Sequence, residues 1–254
     1  MANMLYQLCF GGVAVELDVF ATVNGALDEG LNGKVVVVTD VLRATTTITV
    51  ALTSGCLEVI PVLTPEEAIE MRERLGNGEH LLLGGERGAL KIPGFHLGNS
   101  PLEYTPEVVE GKRLIMTTTN GTRAIRRAAA GKLVLLGALV NAPAVAAAAA
   151  KAEADVSFLC AGTKDRFSLE DFLTAGALVE EMLKQHDYTL RDGARAALEV
   201  YRAYRSDILG AFRSSYHGQQ LIELGLEEDL DYCAQLGTLD IVPVYAGGLI
   251  KKLV

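Results

Sequence analysis

The stretch from Lys34 to Gly55, KVVVVTDVLRATTTITVALTSG, constrains the fold of this chain more than any other part. Its four consecutive valines predict a strand that is buried on both faces, as in a parallel sheet covered by helices. A polar segment with Asp40 and Arg43 follows, and a second apolar run ends at Ser54-Gly55, which is typical of a helix C-terminus. Because a single strand rarely exceeds ~10 residues, we expect a strand, a polar loop and a helix here.

Similar units recur along the chain. Short apolar segments at residues 57–63, 80–83, 113–116, 133–136 and 156–159 alternate with helical patterns. This rhythm predicts the α/β class, with mostly parallel sheets and flanking helices. The units that open near residues 34 and 154 are alike, so we expect two similar α/β halves, residues 1–150 and 151–254. We also expect a hairpin or edge strands within residues 4–20 and a short closing strand at 241–245.

The composition limits the classes of function. The chain has 254 residues, of which 50% are hydrophobic and 22% charged, so we expect a globular protein with a sizeable core. No apolar run approaches the ~18 residues of a membrane span, and the start of the chain does not have the pattern of an export signal. Its four cysteines are widely spaced, which favours reduced thiols in a cytoplasmic protein.

The charge balance points to a small partner rather than a large one. The net charge is −9, from 32 acidic and 23 basic residues, and this disfavours nucleic acid as a partner. A small anionic substrate is compatible with this charge if cations gather locally. An alanine-rich helix after Asn141 permits a homodimer.

Polar residues follow four of the predicted strands. They are Asp40 and Arg43, Glu86 and Arg87, the segment 117–123, and the segment 160–171. If the strands are parallel, their carboxyl ends lie at one edge of the sheet, where ligands bind in open α/β folds. Carboxylates together with arginines and hydroxyls suit a hard cation such as Mg²⁺ beside a phosphate.

Two of these segments contain long irregular or turn-forming sequences. GGERGALKIPGFHLGNSPLEY, at residues 84–104, is a loop of the length that is usually functional. TTTNGT, at residues 117–122, lies between a strand and a helix, where hydroxyls and backbone N–H groups can bind an anion. The alternative for this second segment is an ordinary helix N-cap with a turn glycine.

Two phosphatase mechanisms can be compared with these residues. The haloacid dehalogenase type needs a second aspartate two positions after the first, and Leu42 stands at that position after Asp40. A cysteine phosphatase needs a cysteine and an arginine separated by five residues, as Cys160 and Arg166 are. Asp165 within that loop would repel phosphate, so the cysteine nucleophile stays a less favoured alternative.

The chain resembles the 2-phosphosulfolactate phosphatase family. The resemblance rests on DVLRATTT (40–47), GERG followed by PGFHLGNSP (85–101), TTTNGT (117–122), and CAG with FSLEDFLTAG (160–176). It implies an α/β fold with two similar halves and an active site between them, and a Mg²⁺-dependent enzyme associated with coenzyme M biosynthesis. The implied reaction is hydrolysis of 2-phospho-3-sulfolactate to 3-sulfolactate and phosphate. Another small phosphorylated hydroxy acid as substrate, or a non-catalytic protein that binds small anions, remains an alternative.

This interpretation assigns roles to individual residues. We expect Mg²⁺ to be held by Asp40 and one or more of Glu86, Glu170 and Asp171. The substrate would be bound by cations and by the TTTNGT turn, and the residues in this role are Arg43, Arg87, Lys91, Thr118, Gly121, Thr122 and Arg123. The expected catalytic residues are Asp40, Arg43, Glu86, Thr119, Asn120 and, in the cysteine alternative, Cys160. Whether Asp40 is a metal ligand, a base or a nucleophile is left open.

Overall fold

The computed structural model describes residues 15–253, and one sheet runs through this part of the chain. Its strands are β1 (Glu16–Phe20), β2 (Val35–Thr39), β3 (Glu58–Pro61), β4 (Leu81–Arg87), β5 (Leu90–Lys91), β6 (Arg113–Thr117), β7 (Leu133–Gly137), β8 (Val156–Cys160), β9 (Thr189–Leu190), β10 (Pro243–Ala246) and β11 (Leu249–Lys252). Their order across the sheet is β5-β4-β6-β3-β11-β10-β7-β2-β8-β1-β9.

Most neighbouring strands are parallel, as the sequence predicts. One parallel block is β4-β6-β3 and the other is β7-β2-β8-β1-β9. The antiparallel hairpin β10–β11 lies between the blocks and pairs with β7 and β3. The prediction of an α/β protein with flanking helices is therefore confirmed, with an antiparallel insertion that the sequence pattern did not indicate.

The helices follow the strands and cover the sheet. They are α1 (Ala44–Thr53), α2 (Pro65–Arg74), α3 (Pro106–Val109), α4 (Gly121–Arg127), α5 (Ala142–Ala150), α6 (Leu169–Leu183), α7 (Asp192–Tyr204), α8 (Ile208–Ser214), α9 (Tyr216–Glu223) and α10 (Glu227–Cys233). Short 3₁₀ turns lie at residues 23–25, 28–30, 101–103, 128–130 and 139–141.

The valine run forms β2, which is buried over its whole length. Val36 and Val38 pack in one core cluster with Ile48 of α1, and Val35 and Val37 pack in another with residues of α5 and α6. Successive side chains of a strand point to opposite faces, so a strand covered on both sides needs an apolar residue at every position. This places the segment after β2 at the edge of a rigid core.

The strands at the two ends of the chain differ in part from those that the sequence predicts. The proposed hairpin or edge strands of residues 4–20 lie largely outside the described residues. Within them, β1 is an inner strand, because it pairs in parallel with β8 on one side and β9 on the other. The closing strand at 241–245 corresponds to β10, and β11 follows through the turn at Gly247 and Gly248, whose φ angles are 58° and 85°.

The division into halves at residue 150 stays a prediction. The sheet runs across this boundary, because β8 pairs with both β2 and β1. No helix within residues 15–253 combines the length and the apolar character that crossing a bilayer requires.

Candidate active site

A cavity of about 270 Å³ lies among the loops that follow β2, β4, β6 and β8 and is bordered by α9. Its polar lining residues are Asp40, Arg43, Glu86, Asn99, Thr119, Asn120, Thr163, Lys164, His217, Gln220 and Glu223. Five of the six predicted catalytic residues are among them. Of the predicted substrate-binding residues only Arg43 lines the cavity, and of the predicted metal ligands only Asp40 and Glu86 do so.

Asp40 lies directly after β2 and is 7% exposed. Its Oδ1 accepts a hydrogen bond from the backbone N–H of Ala44 at 3.2 Å, at the start of α1. Burial raises the pKa of Asp40 from 3.8 to about 6, and the nearby Glu86 and Glu170 add to this, while the Ala44 N–H and His217 oppose it. A buried carboxyl whose pKa is shifted toward neutrality, in a cavity, is typical of a functional group.

Arg43 is 2% exposed, and two of its three guanidinium nitrogens have protein partners. Its Nη1 donates to Asp229 Oδ2 at 2.6 Å, and its Nη2 donates to the carbonyl oxygen of Ala89 at 2.6 Å. The buried Nε has no hydrogen-bond partner among the described residues, and neither has the buried Oδ1 of Asn99, which also lines the cavity. Unsatisfied buried polar atoms are rare, so these two are candidates for contact with a ligand.

Glu86, near the end of β4, connects the segment 84–104 with the TTTNGT turn. One carboxylate oxygen accepts from the backbone N–H of Thr119 at 2.7 Å, and the other accepts from the N–H of Ala89 at 2.8 Å. The Thr119 hydroxyl donates to the same second oxygen at 3.2 Å. These bonds fix the carboxylate orientation at the cavity wall.

The TTTNGT turn contributes Thr119 and Asn120 to the cavity, whereas Thr118 and Thr122 bond to each other. The N–H of Thr122 donates to Thr118 Oγ1 at 3.1 Å, and the Thr122 hydroxyl donates to the Thr118 carbonyl at 3.1 Å. A Cβ on Gly121 would lie 2.5 Å from Asp40 Oδ2 and 2.5 Å from Ala44 Cβ. Gly121 therefore allows Asp40 to pack against the start of α4, and its assignment to substrate binding stays a prediction.

Asp171 and Glu170, the other two predicted metal ligands, do not line this cavity. Asp171 is 3% exposed, and its two oxygens accept from the backbone N–H groups of Val41 and Gly162 at 2.9 and 3.1 Å. Burial, with Asp40 and Glu170, raises the pKa of Asp171 well above its ordinary value. These bonds join the loops after β2 and β8. Glu170 lines an adjoining cavity that shares Thr163, Lys164 and His217 with the first; we call it the outer cavity.

Cys160 is fully buried at the end of β8 and does not line the cavity. Burial raises the pKa of its thiol, and the charges of Asp171 and Glu170 raise it further. A thiol must ionise to act as a nucleophile, and this environment opposes ionisation. We leave Cys160 out of the proposed mechanism.

The remaining predicted cations have other contacts. Arg87 donates to the carbonyl oxygens of Glu86 and Leu63, at 2.7 and 3.0 Å. Lys91 is exposed on β5, and Arg123 pairs with Asp165. None of the three lines the cavity. Their assignment to substrate binding stays a prediction that these contacts do not favour.

Several residues of the site, among them Lys164, His217 and Asp229, were not among the predicted site residues. Lys164 and His217 line the cavity, and Asp229 holds Arg43 from α10. His217 and Asp229 lie in helices of the C-terminal region, where no motif separates them from surface residues. Lys164 stands in the segment 160–171 that the strand-end pattern did single out, so that pattern could have identified it.

The side chains of the cavity fit a magnesium site to which the protein supplies only one or two ligands. Within residues 15–253, no group of three or more His, Cys, Asp or Glu side chains is arranged to hold a metal ion. Mg²⁺ is usually held by one or two carboxylates, with substrate oxygens and water completing its coordination. Asp40 and Glu86, which line the same cavity, can supply those two carboxylates.

The fold and the cavity define an α/β protein with acidic and cationic side chains gathered at strand ends, as in enzymes that act on small anions. The model of the 2-phosphosulpholactate phosphatase family matches residues 21–248. The chain belongs to this family.

Curated relatives agree with this assignment. A probable 2-phosphosulfolactate phosphatase of Symbiobacterium thermophilum is 50% identical over 226 residues, which are 89% of this chain and 97% of that protein. Proteins of the same name from Caldanaerobacter subterraneus subsp. tengcongensis and Clostridium kluyveri are 43% and 42% identical, over 92% and 93% of this chain. They are covered to 97% and 98% of their own length.

Proposed function

We propose that this protein is a Mg²⁺-dependent phosphatase that hydrolyses 2-phospho-3-sulfolactate to 3-sulfolactate and phosphate. The observation that carries the proposal is the cavity in which Asp40, Arg43 and Glu86 meet, in a chain of this family. Its volume of about 270 Å³ suits a small organic phosphate, because pockets for drug-sized ligands begin at ~300 Å³.

The charges around the cavity support a requirement for a divalent cation. Asp40, Glu86 and Glu223 line it as carboxylates, while the charge of Arg43 is compensated by Asp229. Without a metal ion, Lys164 would be the main positive charge left to balance these carboxylates, and a phosphorylated, acidic substrate would be repelled. Asp40 and Glu86 are the residues that would hold Mg²⁺. When bound, the ion supplies charge neutralisation at the phosphoryl oxygens and activation of water or of the leaving alkoxide.

The side chains of the cavity have separable roles in this proposal. Arg43, fixed by two bonds, lines the cavity and would bind a phosphoryl oxygen there. Glu86 is held in orientation by Thr119 and Ala89, so it binds without rearrangement. His217 lines the same cavity as Asp40, and we assign to it the role of giving a proton to the leaving oxygen. Asp40 and Glu86 therefore position the metal, and Arg43 the phosphoryl group.

Phosphate release from synthetic 2-phospho-3-sulfolactate tests the proposal. The assay is run with Mg²⁺, with EDTA, and with phospholactate and phosphoglycerate as comparison substrates. We expect release that requires Mg²⁺ and is fastest with the sulfonate substrate. Equal phosphate release with Mg²⁺ and with EDTA would contradict the metal requirement. Release only from phospholactate or phosphoglycerate would contradict the assignment of 2-phospho-3-sulfolactate as the substrate. The cytoplasmic location and the homodimer stay predictions from the sequence.

A further inference from the structure

A tight turn after β8 carries the cavity residue Lys164. The N–H of Thr163 donates to the carbonyl oxygen of Arg166, and the N–H of Arg166 donates to that of Thr163, both at 3.0 Å. The two central residues, Lys164 and Asp165, have φ angles of 52° and 62°. This left-handed conformation is costly for a lysine and persists only when its surroundings enforce it.

The turn is attached to the TTTNGT segment and α4 at two points. The backbone N–H of Lys164 donates to Asn120 Oδ1 at 3.1 Å, and Asp165 accepts from Arg123 Nη1 at 2.9 Å. Both partners come from the segment that also supplies Thr119 to the cavity. The position of Lys164 is therefore tied to the segment that holds Glu86, one of the two residues that would bind the metal in the proposed function.

The charge of Lys164 is available for a ligand. Arg43 pairs with Asp229, and Arg123 pairs with Asp165, but Lys164 takes part in none of the ion pairs of the described residues. Lys164, an exposed residue, lines both the active-site cavity and the outer cavity. A lysine that only contacts solvent needs neither a left-handed backbone conformation nor a position between the two cavities.

We propose that Lys164 is a specificity residue that binds the second acidic group of the substrate, its carboxylate or sulfonate, while Arg43 binds the phosphoryl group. This inference rests on the proposed function. An ammonium group is a compact point charge with rotatable donors. It can therefore bind a carboxylate or a sulfonate without the planar geometry that a guanidinium demands. It favours phosphate esters of hydroxy acids over phosphate esters of neutral alcohols.

Lys164→Met tests this assignment, because methionine keeps the length of the side chain and removes its charge. The substrates are 2-phospho-3-sulfolactate, phospholactate and isopropyl phosphate, which has no second acid. We expect kcat/KM to fall ~10- to 100-fold on 2-phospho-3-sulfolactate, the range for a lost hydrogen bond to a charged group, and to stay within ~3-fold on isopropyl phosphate. An equal fall on phospholactate identifies the carboxylate as the bound group, and an unchanged rate on phospholactate identifies the sulfonate. Lys164→Arg should recover part of the loss.

Arg166→Met is the matched control. Arg166 is an exposed cation of the same turn, and it lines the outer cavity but not the active-site cavity. We expect its substitution to leave all three substrates within ~3-fold. Equal losses of Lys164→Met on acidic and neutral substrates, or no loss on either, would overturn the assignment.

A binding measurement separates this inference from the proposed function. Calorimetric titration with 3-sulfolactate and with inorganic phosphate needs no turnover. We expect Lys164→Met to weaken the binding of 3-sulfolactate ~10-fold or more and to leave that of phosphate unchanged. If the wild type releases no phosphate from any ester but shows this difference, the phosphatase proposal fails and the role of Lys164 stands. If sulfolactate binds equally to both proteins, the role of Lys164 fails.

Discussion

The guanidinium of Arg43 and the carboxylate of Asp229 form a buried ion pair, with Nη1 2.6 Å from Oδ2 and each side chain 2% exposed. The pair joins the loop after β2 to α10, 186 residues apart in sequence. The other carboxylate oxygen of Asp229 accepts from the Ser100 hydroxyl at 2.5 Å, so the long glycine-rich loop is attached at the same point. In the proposed function Asp229 is thus a positioning residue, because it holds Arg43, the cation that would bind the phosphoryl group.

Asp229→Asn should be strongly destabilising. It leaves the Arg43 charge buried without its counter-charge, a situation that typically costs ~3–5 kcal/mol. Urea unfolding gives the change in free energy, and titration with inorganic phosphate should show weaker binding in the folded variant.

Asp231→Asn is the control for this prediction. Asp231 lies on the same helix, is 50% exposed, and contacts Arg213 at 3.4 Å. Exposed pairs contribute ~1 kcal/mol or less, so this variant should be nearly as stable as the wild type and should bind phosphate equally well. Equal destabilisation by the two substitutions would show that the burial of the Arg43–Asp229 pair has no special effect.

Asp40→Asn should stabilise the metal-free protein above pH 6. The folded state keeps the Asp40 proton up to about pH 6, whereas the ordinary pKa is 3.8, so wild-type stability falls as the pH rises between these values. Asparagine has no charge and avoids this loss. In EDTA, the variant should match the wild type near pH 4 and exceed it by up to about 3 kcal/mol at pH 7. A difference that does not change with pH would contradict the assigned pKa.

Mg²⁺ should stabilise the wild type more than Asp40→Asn, opposite to the difference expected in EDTA. A ligand that binds the folded state raises its stability, so at pH 7 Mg²⁺ should raise the melting temperature of the wild type in a concentration-dependent manner. Asp40→Asn should show little or no response. An equal response of both proteins would mean that Asp40 is not a metal ligand.

Gly121→Ala should disturb the site through a steric contact. The new Cβ would lie 2.5 Å from both Asp40 Oδ2 and Ala44 Cβ, which is closer than such atoms approach. We expect lower stability and at least a ~10-fold lower rate of phosphate release, because the carboxylate must move. The substitution should cost less stability in an Ala44→Gly background, since one of the two contacts is then removed. Simple additivity of the two changes would contradict a steric origin.

Cys160→Ala should keep the catalytic rate within a few-fold of the wild type. The thiol is fully buried and lies outside the cavity lining, so its loss should cost ~1 kcal/mol of stability by reduced packing. Steady-state phosphate release and a melting curve check both statements. A loss of activity above ~100-fold in a folded variant would restore the cysteine nucleophile.

The sequence was informative where a short pattern has one structural solution. The valine run could only be a strand covered on both faces, and the polar residues Asp40 and Arg43 after it had to lie at the end of that strand. The same reasoning placed Glu86 and Thr119 at the cavity. For Asp40 and Thr119, a strand boundary that the hydrophobic pattern reveals determines the position of the polar residue, whereas Glu86 lies within β4, three residues beyond the segment that the pattern predicted as a strand.

It was less informative where position depends on pairing between distant segments. The hairpin β10–β11 enters the middle of the sheet, and neither its pairing with β3 nor that with β7 leaves a local signal. The contact of Asp229 with Arg43 likewise depends on how α10 packs. Arg123 was expected at the substrate because it is a cation after TTTNGT, but its partner Asp165 lies in a turn whose geometry the sequence does not specify.

The most direct test compares phosphate release from 2-phospho-3-sulfolactate by the wild type and by Asp40→Asn, each with Mg²⁺ and with EDTA. The account predicts rapid release by the wild type with Mg²⁺ alone. It predicts a loss of at least ~100-fold in EDTA and in the variant under both conditions. Comparable rates for the folded variant and the wild type, or wild-type release that persists in EDTA, would contradict it.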